Sequence, residues 1–455
     1  MKETTKKLIE AVKADLVPSL GVTEPVAIAY AAAAAARALG GTVKSVSVWL
    51  NSGVYKNSFT CAVPGTGGVG CALAAALGAV SGDTERILAA LENATPEDIE
   101  TAKKLVKDGS AKAYLDGISP DISIRARVET ELGTAESLMK GSHTGLVSVR
   151  VNGRKVFKRK ETREAEKQAF SVSSASFSDI VNCLYEAEEI DKLELAHGDD
   201  CIELDARKGL EKLDFLNEAV NTDMELFEEG KRSSLMPMTK ARLGDDPEAC
   251  SSARELAEML TSGAIEARVR GAKAFAMAIT GSGSHGVLCM LPIHAAAVYE
   301  GFDINEERKA LLLSALVTKY IKDLSGLLST ACGCVLAGGT GAALGLTYLY
   351  SLKDGLTKEA MTERLAAALG FMAASVTGMI CHGGNPGCSL KASVGVNMAF
   401  SAAKMAVGGV PAQTEHGVVG LTPEATMLNM GLIARDMLPV EKTILDIMEE
   451  KSEKA

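Results

Sequence analysis

Along residues 1–160, stretches of alternating apolar and polar positions separate stretches in which apolar residues recur every three or four. Alternation over residues 45–50, 125–130, 146–151 and 155–158 predicts β-strands with one buried face. Helical spacing predicts helices over 6–15, 68–80 and 96–107. A further helix is expected just after Thr23-Glu24-Pro25, because proline suits a first helical turn. Residues 161–245 are charged and helical in pattern, with a polar linker at 171–178 and amphipathic runs around Lys192 and over 213–230. From Asp246 onward no strand pattern emerges. Helical runs rich in Ala, Leu, Met and Gly alternate there with short glycine loops, a pattern that packs helices tightly and leaves chemistry to the loops.

These patterns predict an α+β protein in three parts: a mixed α/β domain over 1–160, a charged helical connection over 161–245, and an all-helical domain over 246–455. No repeat of solenoid type is present. The apolar runs at 27–36 and 365–376 fall short of the roughly 20 residues that span a bilayer, so they read as buried helices and no membrane partner is expected.

Composition narrows the function classes. The chain of 455 residues is 47% hydrophobic and 23% charged, enough for more than one sizeable core. Its net charge of −10 is spread along the sequence with no basic arm, which argues against nucleic acid and for a small-molecule substrate. The charged amphipathic N-terminus lacks an apolar run, so a cytoplasmic location is expected. In that reducing setting, ten cysteines suggest metal or catalysis where they cluster and small apolar residues where they do not. Cys61, Cys71, Cys183, Cys201, Cys250 and Cys289 lack paired spacing and take the second reading.

The clustered thiols are the strongest chemical signal. Cys381 and Cys388 bracket a six-residue turn of His, Gly, Asn and Pro, and Cys332 and Cys334 lie in a second glycine-rich stretch about fifty residues earlier. Glycine turns leave little bulk over such a site, so thiols from both can converge on one soft metal centre. Three thiolates on a cubane cluster would leave one iron open. The loop Gly281-Ser282-Gly283-Ser284-His285-Gly286 offers glycine-exposed N–H groups and two hydroxyls, a nest for a carboxylate or a plain helix-to-helix turn. It is not a dinucleotide fingerprint, since no strand pattern precedes it, and residues 64–70 lack the Lys-Ser/Thr ending of a phosphate loop.

Six motifs in order, Gly21-Val22-Thr23-Glu24-Pro25, Val54-Tyr55-Lys56-Asn57, Val63-Pro64-Gly65-Thr66, the loop from Gly281, Ala331-Cys332-Gly333-Cys334 and the stretch from Cys381 to Lys391, resemble the L-cysteine desulfidase family. That family is related to the iron-sulfur L-serine dehydratases. The resemblance implies a [4Fe-4S] cluster held by Cys381, Cys388 and either Cys332 or Cys334, with Cys332 slightly preferred. It also implies elimination of sulfide from cysteine to give pyruvate and ammonia. Thr23, Asn57 and Gly281, Ser282, Gly283 and Ser284 become expected substrate contacts.

Three departures from the family pattern shape the remaining expectations. Val22 replaces the cysteine assigned there as proton acceptor, and valine cannot move a proton. The stretch Cys381-His382-Gly383-Gly384-Asn385 replaces Cys-Asp-Gly-Ala-Lys, and the serine-rich loop ends in Ser-His-Gly instead of Asn-Gln-Gly. His285 and His382 are therefore candidates for the vacant base, because imidazole transfers protons near neutral pH, with Glu24 behind them. His143 reads as a substrate-orienting or strand-edge histidine. Lys391 reads as a charge beside the cluster loop, and Arg268 as a conceivable carboxylate clamp.

The expected function is a [4Fe-4S]-dependent lyase that removes sulfide or water from a small amino acid such as L-cysteine or L-serine, working as a homo-oligomer. Two alternatives remain open. Without its usual base the chain could only bind a small thiol or amino acid, or it could act as a dehydratase or isomerase on another hydroxy or thiol acid.

Overall fold

The computed structural model describes residues 3–159, 170–195 and 213–454. Cys201 and parts of the expected charged connection, residues 161–169 and 196–212, lie outside them. The first segment runs α1 (Glu3–Asp15), β1 (Val17–Leu20), α2 (Thr23–Leu39), β2 (Ser45–Asn51), α3 (Ser52–Ser58), α4 (Cys71–Ser81) and α5 (Pro96–Lys107). It continues through β3 (Ala111–Gly117), β4 (Ser123–Thr130), β5 (Gly133–Lys140), β6 (Leu146–Val151) and β7 (Arg154–Lys158).

Six of these strands form one sheet in the order β3-β2-β4-β5-β6-β7. Only the β2–β3 pair is parallel, its crossover carrying α3, α4 and α5; the other pairs are antiparallel. The sheet is covered on one face, so its strands alternate. In β4, Ile124, Ala126 and Val128 are buried while Arg125, Arg127 and Glu129 face outward, Arg125 lying 4.2 Å over the Trp49 ring. The covering layer is α2 and α4, two alanine-rich helices whose small side chains let the backbones approach closely. The apolar run at 27–36 is the buried middle of α2, as its pattern implied.

The later part is helical: α6 (Phe177–Leu195), α7 (Asp214–Arg232), α8 (Pro237–Leu243), α9 (Ala253–Val269), then β8 (Phe275–Ala278) and α10 (Gly283–Glu300). After these come α11 (Ile304–Ser325), α12 (Thr340–Ser351), α13 (Lys358–Val376), α14 (Gly387–Val407), α15 (Pro423–Asp436) and α16 (Leu438–Lys454). The α+β architecture is the one the periodicity predicts, with one correction past Asp246. Phe275–Ala278 is a strand, paired antiparallel with β1. Four apolar residues carry no period long enough to separate strand from helix.

Two hydrophobic cores result. One joins α2 and α4 to the sheet, and the other gathers the later helices. The helix α1 contributes Leu8 and Val12 to the second core, so β1 and α1 tie the beginning of the chain to its helical half. The run Cys334–Asp354 is long and apolar enough to cross a membrane, yet 89% of its most apolar window is buried against other helices.

Candidate active site

Two short hydrogen bonds bring the cysteine loops together. The Cys332 N–H donates to Met379 O and the Cys381 N–H to Thr330 O, both at 2.7 Å, around an antiparallel bridge between Ala331 and Ile380. Cys332 and Cys381 therefore lie on neighbouring strands of backbone. Cys388 opens α14 next to them, its thiol 3.4 Å from Gly383 O. The four sulfurs sense one another electrically. Burial, followed by the neighbouring Cys381, pushes the Cys388 thiol up to about 12. Cys334 donates to Cys332, so Cys332 ionises more readily than an ordinary thiol while Cys334 holds its proton.

The loop from His382 is organised by Asn385. Its amide donates to His382 O, to Gly383 O and, at 2.8 Å, to His382 Nδ1, while its oxygen accepts the Gly387 N–H. His382 borders an outer cavity of about 940 Å³ shared with Tyr55, Phe59, Ile444 and Met448. Burial, with help from Lys391, holds its imidazole below the ordinary range. Lys391 itself donates to Ile380 O at 2.7 Å.

His285 lies deeper. It sits in the first turn of α10, 5% exposed, with Nδ1 at 2.7 Å from Thr280 Oγ1. Its Nε2 abuts Gly333, between Cys332 and Cys334: a Cβ built on Gly333 would stand 2.6 Å from that nitrogen and 3.3 Å from Lys322 Nζ. Burial, then the Lys322 charge, lower the His285 pKa well below the ordinary value, so the ring is neutral at physiological pH.

Glu24 and Asn57 complete the inner wall. The Asn57 amide donates to Glu24 Oε1 at 2.8 Å, and its oxygen lies 3.7 Å from the Cys381 thiol. His143 reaches over from the β5–β6 hairpin, its Nε2 at 3.8 Å from Glu24 Oε1, too long for a hydrogen bond. Among the described residues that Nε2 has no hydrogen-bond partner. Burial alone would raise the Glu24 carboxyl; His143, Asn57 and Arg268 outweigh it and bring it to about 2. Such a carboxylate is a firm anion and a weak base.

Arg268, at 2% exposure, knits the walls together. Its guanidinium donates to Gly21 O at 2.9 Å, Ser284 Oγ at 2.8 Å and Thr23 Oγ1 at 3.2 Å. Gly283 makes room for it, since a Cβ there would stand 2.7 Å from Arg268 Nε. Gly281 and Ser282 lead into α10, and Ser282 occupies the N-cap position without a side-chain cap bond, its hydroxyl uncommitted among the described residues. Glu266, two residues before Arg268, faces elsewhere and accepts from Met238, Thr239 and Arg270.

Val22 packs against Cys61, Val269 and Cys388, so its methyl groups line the thiol pocket. Cys61, Cys71, Cys183 and Cys289 are buried, as read from their spacing, while Cys250 is half-buried.

Two buried lysines beside the thiols were not singled out from sequence. Lys322 is 3% exposed and its ammonium makes no hydrogen bond among the described residues; burial lowers its pKa to about 8, against the pull of Cys334, Cys381 and Cys332. The signal was present: Leu311, Ala315, Thr318 and Lys322 share one buried helical stripe, and a lysine there is out of place. Lys56, 1% exposed, meets Glu441 of α16 at 2.8 Å, and Thr330 donates to the same carboxylate oxygen at 3.3 Å. Burial would lower the Lys56 ammonium, but Cys381 and Glu441 hold it above its ordinary value.

Among the described residues, no three Cys, His, Asp or Glu side chains close on a single metal ion. The donor set is instead four soft thiols on two loops. That chemistry suits a polynuclear iron-sulfur group, whose ligands bind different irons and stand farther apart than ligands sharing one ion.

Fold and site together define an α+β protein with two main cores and a thiol-lined polar centre drawn from both. The sequence profile of the serine dehydratase alpha chain matches residues 85–446, and this chain belongs to that family. A protein of Clostridium botulinum (strain Okra / Type B1) is 35% identical over 452 residues, covering 98% of this chain and 99% of its own length. Relatives from Caldanaerobacter subterraneus subsp. tengcongensis and Desulfotalea psychrophila are each 32% identical, over 99% and 100% of this chain and 100% of their own length. All three are named UPF0597 protein, a name that states no activity.

Proposed function

We propose that this protein is a lyase that removes sulfide or water from a small β-substituted amino acid, L-cysteine or L-serine, with Cys332, Cys381 and Cys388 as ligands of a [4Fe-4S] cluster. The observation that carries the reading is the backbone bridge that sets the two cysteine loops side by side, with His285 Nε2 against Gly333. Cys332 is preferred over Cys334 because its own backbone forms the bridge to the Cys381 loop. Bound by three thiolates, the cluster supplies an iron with an open position, a Lewis acid for the departing sulfur or oxygen.

The protein's own groups have separate tasks in this reading. Arg268 holds Thr23 and Ser284 on one wall, and with the free hydroxyl of Ser282 and the N-terminus of α10 it favours the substrate carboxylate. Glu24, ionised and aligned by Asn57, favours the substrate ammonium. His285 takes the α-proton at Nε2, general-base help of the kind that contributes about 10²–10⁴-fold. His382 is the weaker candidate, because Asn385 already occupies its Nδ1 and it faces the outer cavity. Burial of His285, Glu24 and Arg268 excludes water from the reacting groups.

Anaerobic reconstitution followed by iron and sulfide analysis tests the cofactor, and pyruvate and sulfide release from cysteine tests the reaction. Protein that holds no iron, or His285→Ala and His382→Ala variants that both keep full turnover, would end this reading. Val22 favours a second one: with methyl groups where the family pattern places a thiol, the site could bind its amino acid without turning it over. Substrate-dependent changes in the cluster absorbance without pyruvate would select it.

A further inference from the structure

Thr280 occupies an unusual place. It is β-branched, yet its φ is +54°, in the left-handed region that such residues rarely adopt. It lies in a tight turn closed by the bridge between Ile279 and Ser282. A strained turn persists only when something outside it insists. Here that is Asp15, the last residue of α1, whose carboxylate accepts the Thr280 N–H at 2.8 Å.

The hydroxyl held there has one proton to give. It donates to Ile279 O at 2.7 Å, so toward His285 Nδ1, also at 2.7 Å, it offers only lone pairs. The Ile279 carbonyl is a second acceptor within reach of the same ring. An imidazole nitrogen facing oxygens that can only accept must carry the proton itself. The other nitrogen, Nε2, is then the bare one, and it is the nitrogen that abuts Gly333.

We propose that Asp15 and Thr280 are positioning residues that lock His285 as the Nδ1–H tautomer, so that its unprotonated Nε2 points at the cysteine loops. The proposal deepens the reading of His285 as proton acceptor and rests on it for its purpose, while the tautomer itself is measurable whatever the reaction proves to be. Relaxing the turn swings the hydroxyl away and frees the ring to carry its proton on either nitrogen.

The experiment is a two-bond ¹H–¹⁵N correlation spectrum of the full chain labelled with [¹⁵N]histidine, with His285 identified by the signals lost in His285→Gln. The wild-type protein should show a protonated Nδ1 and a bare Nε2 at this residue. Thr280→Val should move the signals toward the opposite tautomer, and Thr280→Ser, which restores the hydroxyl, should return them. Asp15→Ala should shift them in the same direction as Thr280→Val, whereas Asp15→Asn, whose amide oxygen still accepts, should stay near wild type. A wild-type spectrum with the proton on Nε2 overturns the proposal without need of any variant, and so does a folded Thr280→Val protein with the wild-type pattern. Absent pyruvate formation alongside the Nδ1–H pattern would instead remove the lyase reading and leave the tautomer assignment standing.

Discussion

Replacing Lys56 with methionine keeps the length of the side chain and deletes its charge, which strands the Glu441 carboxylate at 2% exposure. Breaking a buried ion pair by removing one partner costs about 3–5 kcal/mol, because the remaining charge has lost water and gained nothing. Thr330 still donates to the same charged oxygen, a hydrogen bond of a kind worth about 1.5–3 kcal/mol, so the lower end, about 3 kcal/mol, is expected. Deleting both charges, in Lys56→Met with Glu441→Leu, should recover most of that loss, since an apolar pair of similar volume tolerates burial. Urea unfolding followed by circular dichroism gives the midpoints of the four proteins in the cycle. The sign of any pH dependence is fixed too. The folded-state pKa of Lys56 lies above its ordinary 10.5, so the pair's contribution is fully present below that value and lost only as pH rises through the higher one. The difference between wild type and Lys56→Met should therefore stay flat from about pH 6 to about pH 9. A single variant that loses less than about 1 kcal/mol, the level of an exposed pair, or a double variant as unstable as the sum of the singles, would refute the reasoning.

Other expectations follow from the same geometry. Gly333→Ala places a methyl group 2.6 Å from His285 Nε2, so steady-state kinetics should show turnover at least about tenfold lower while the unfolding midpoint moves little. Lys322 is charged at neutral pH although burial brings its pKa to about 8, a cost of about 3 kcal/mol relative to an ordinary lysine. Lys322→Met should therefore stabilise the metal-free protein at pH 7 in urea titrations. Its advantage should shrink as pH rises from about 8 toward 10.5, where the wild-type lysine sheds its proton in the folded state before the unfolded one does. Arg268→Lys keeps the charge and loses the fork that reaches Gly21, Thr23 and Ser284 at once; KM for the amino acid should rise at least about tenfold, and an unchanged KM would remove Arg268 from carboxylate recognition.

The elements legible in the sequence are those whose own residues carry the signal. Alternation was plain in β2, β4, β6 and β7, and the cysteine loops announced themselves by thiols among glycines. The strand β5, Gly-Thr-Ala-Glu-Ser-Leu-Met-Lys, was missed because Ser137 is a buried polar residue on its inner face, donating to Ala31 O across the layer. β3 was missed because it is an edge strand with few buried positions, given its place by the parallel pairing with β2. The site shows the same division. Glu24, Asn57, Ser284 and the four thiols could be picked by local motif, and the structure brings them near one another. Arg268 looked ambiguous until its three acceptors were known, and Asp15 and Glu441 carry no local sign, because their partners lie 265 and 385 residues away.

That last separation bears on how the cysteine loops are held. Glu441 follows Lys56 by 385 residues, so with α16 undocked the ammonium of Lys56 loses this carboxylate and Thr330 loses the acceptor of its hydroxyl. The C-terminal helix α16 thereby braces Thr330, the residue just before the bridge that sets the two cysteine loops side by side.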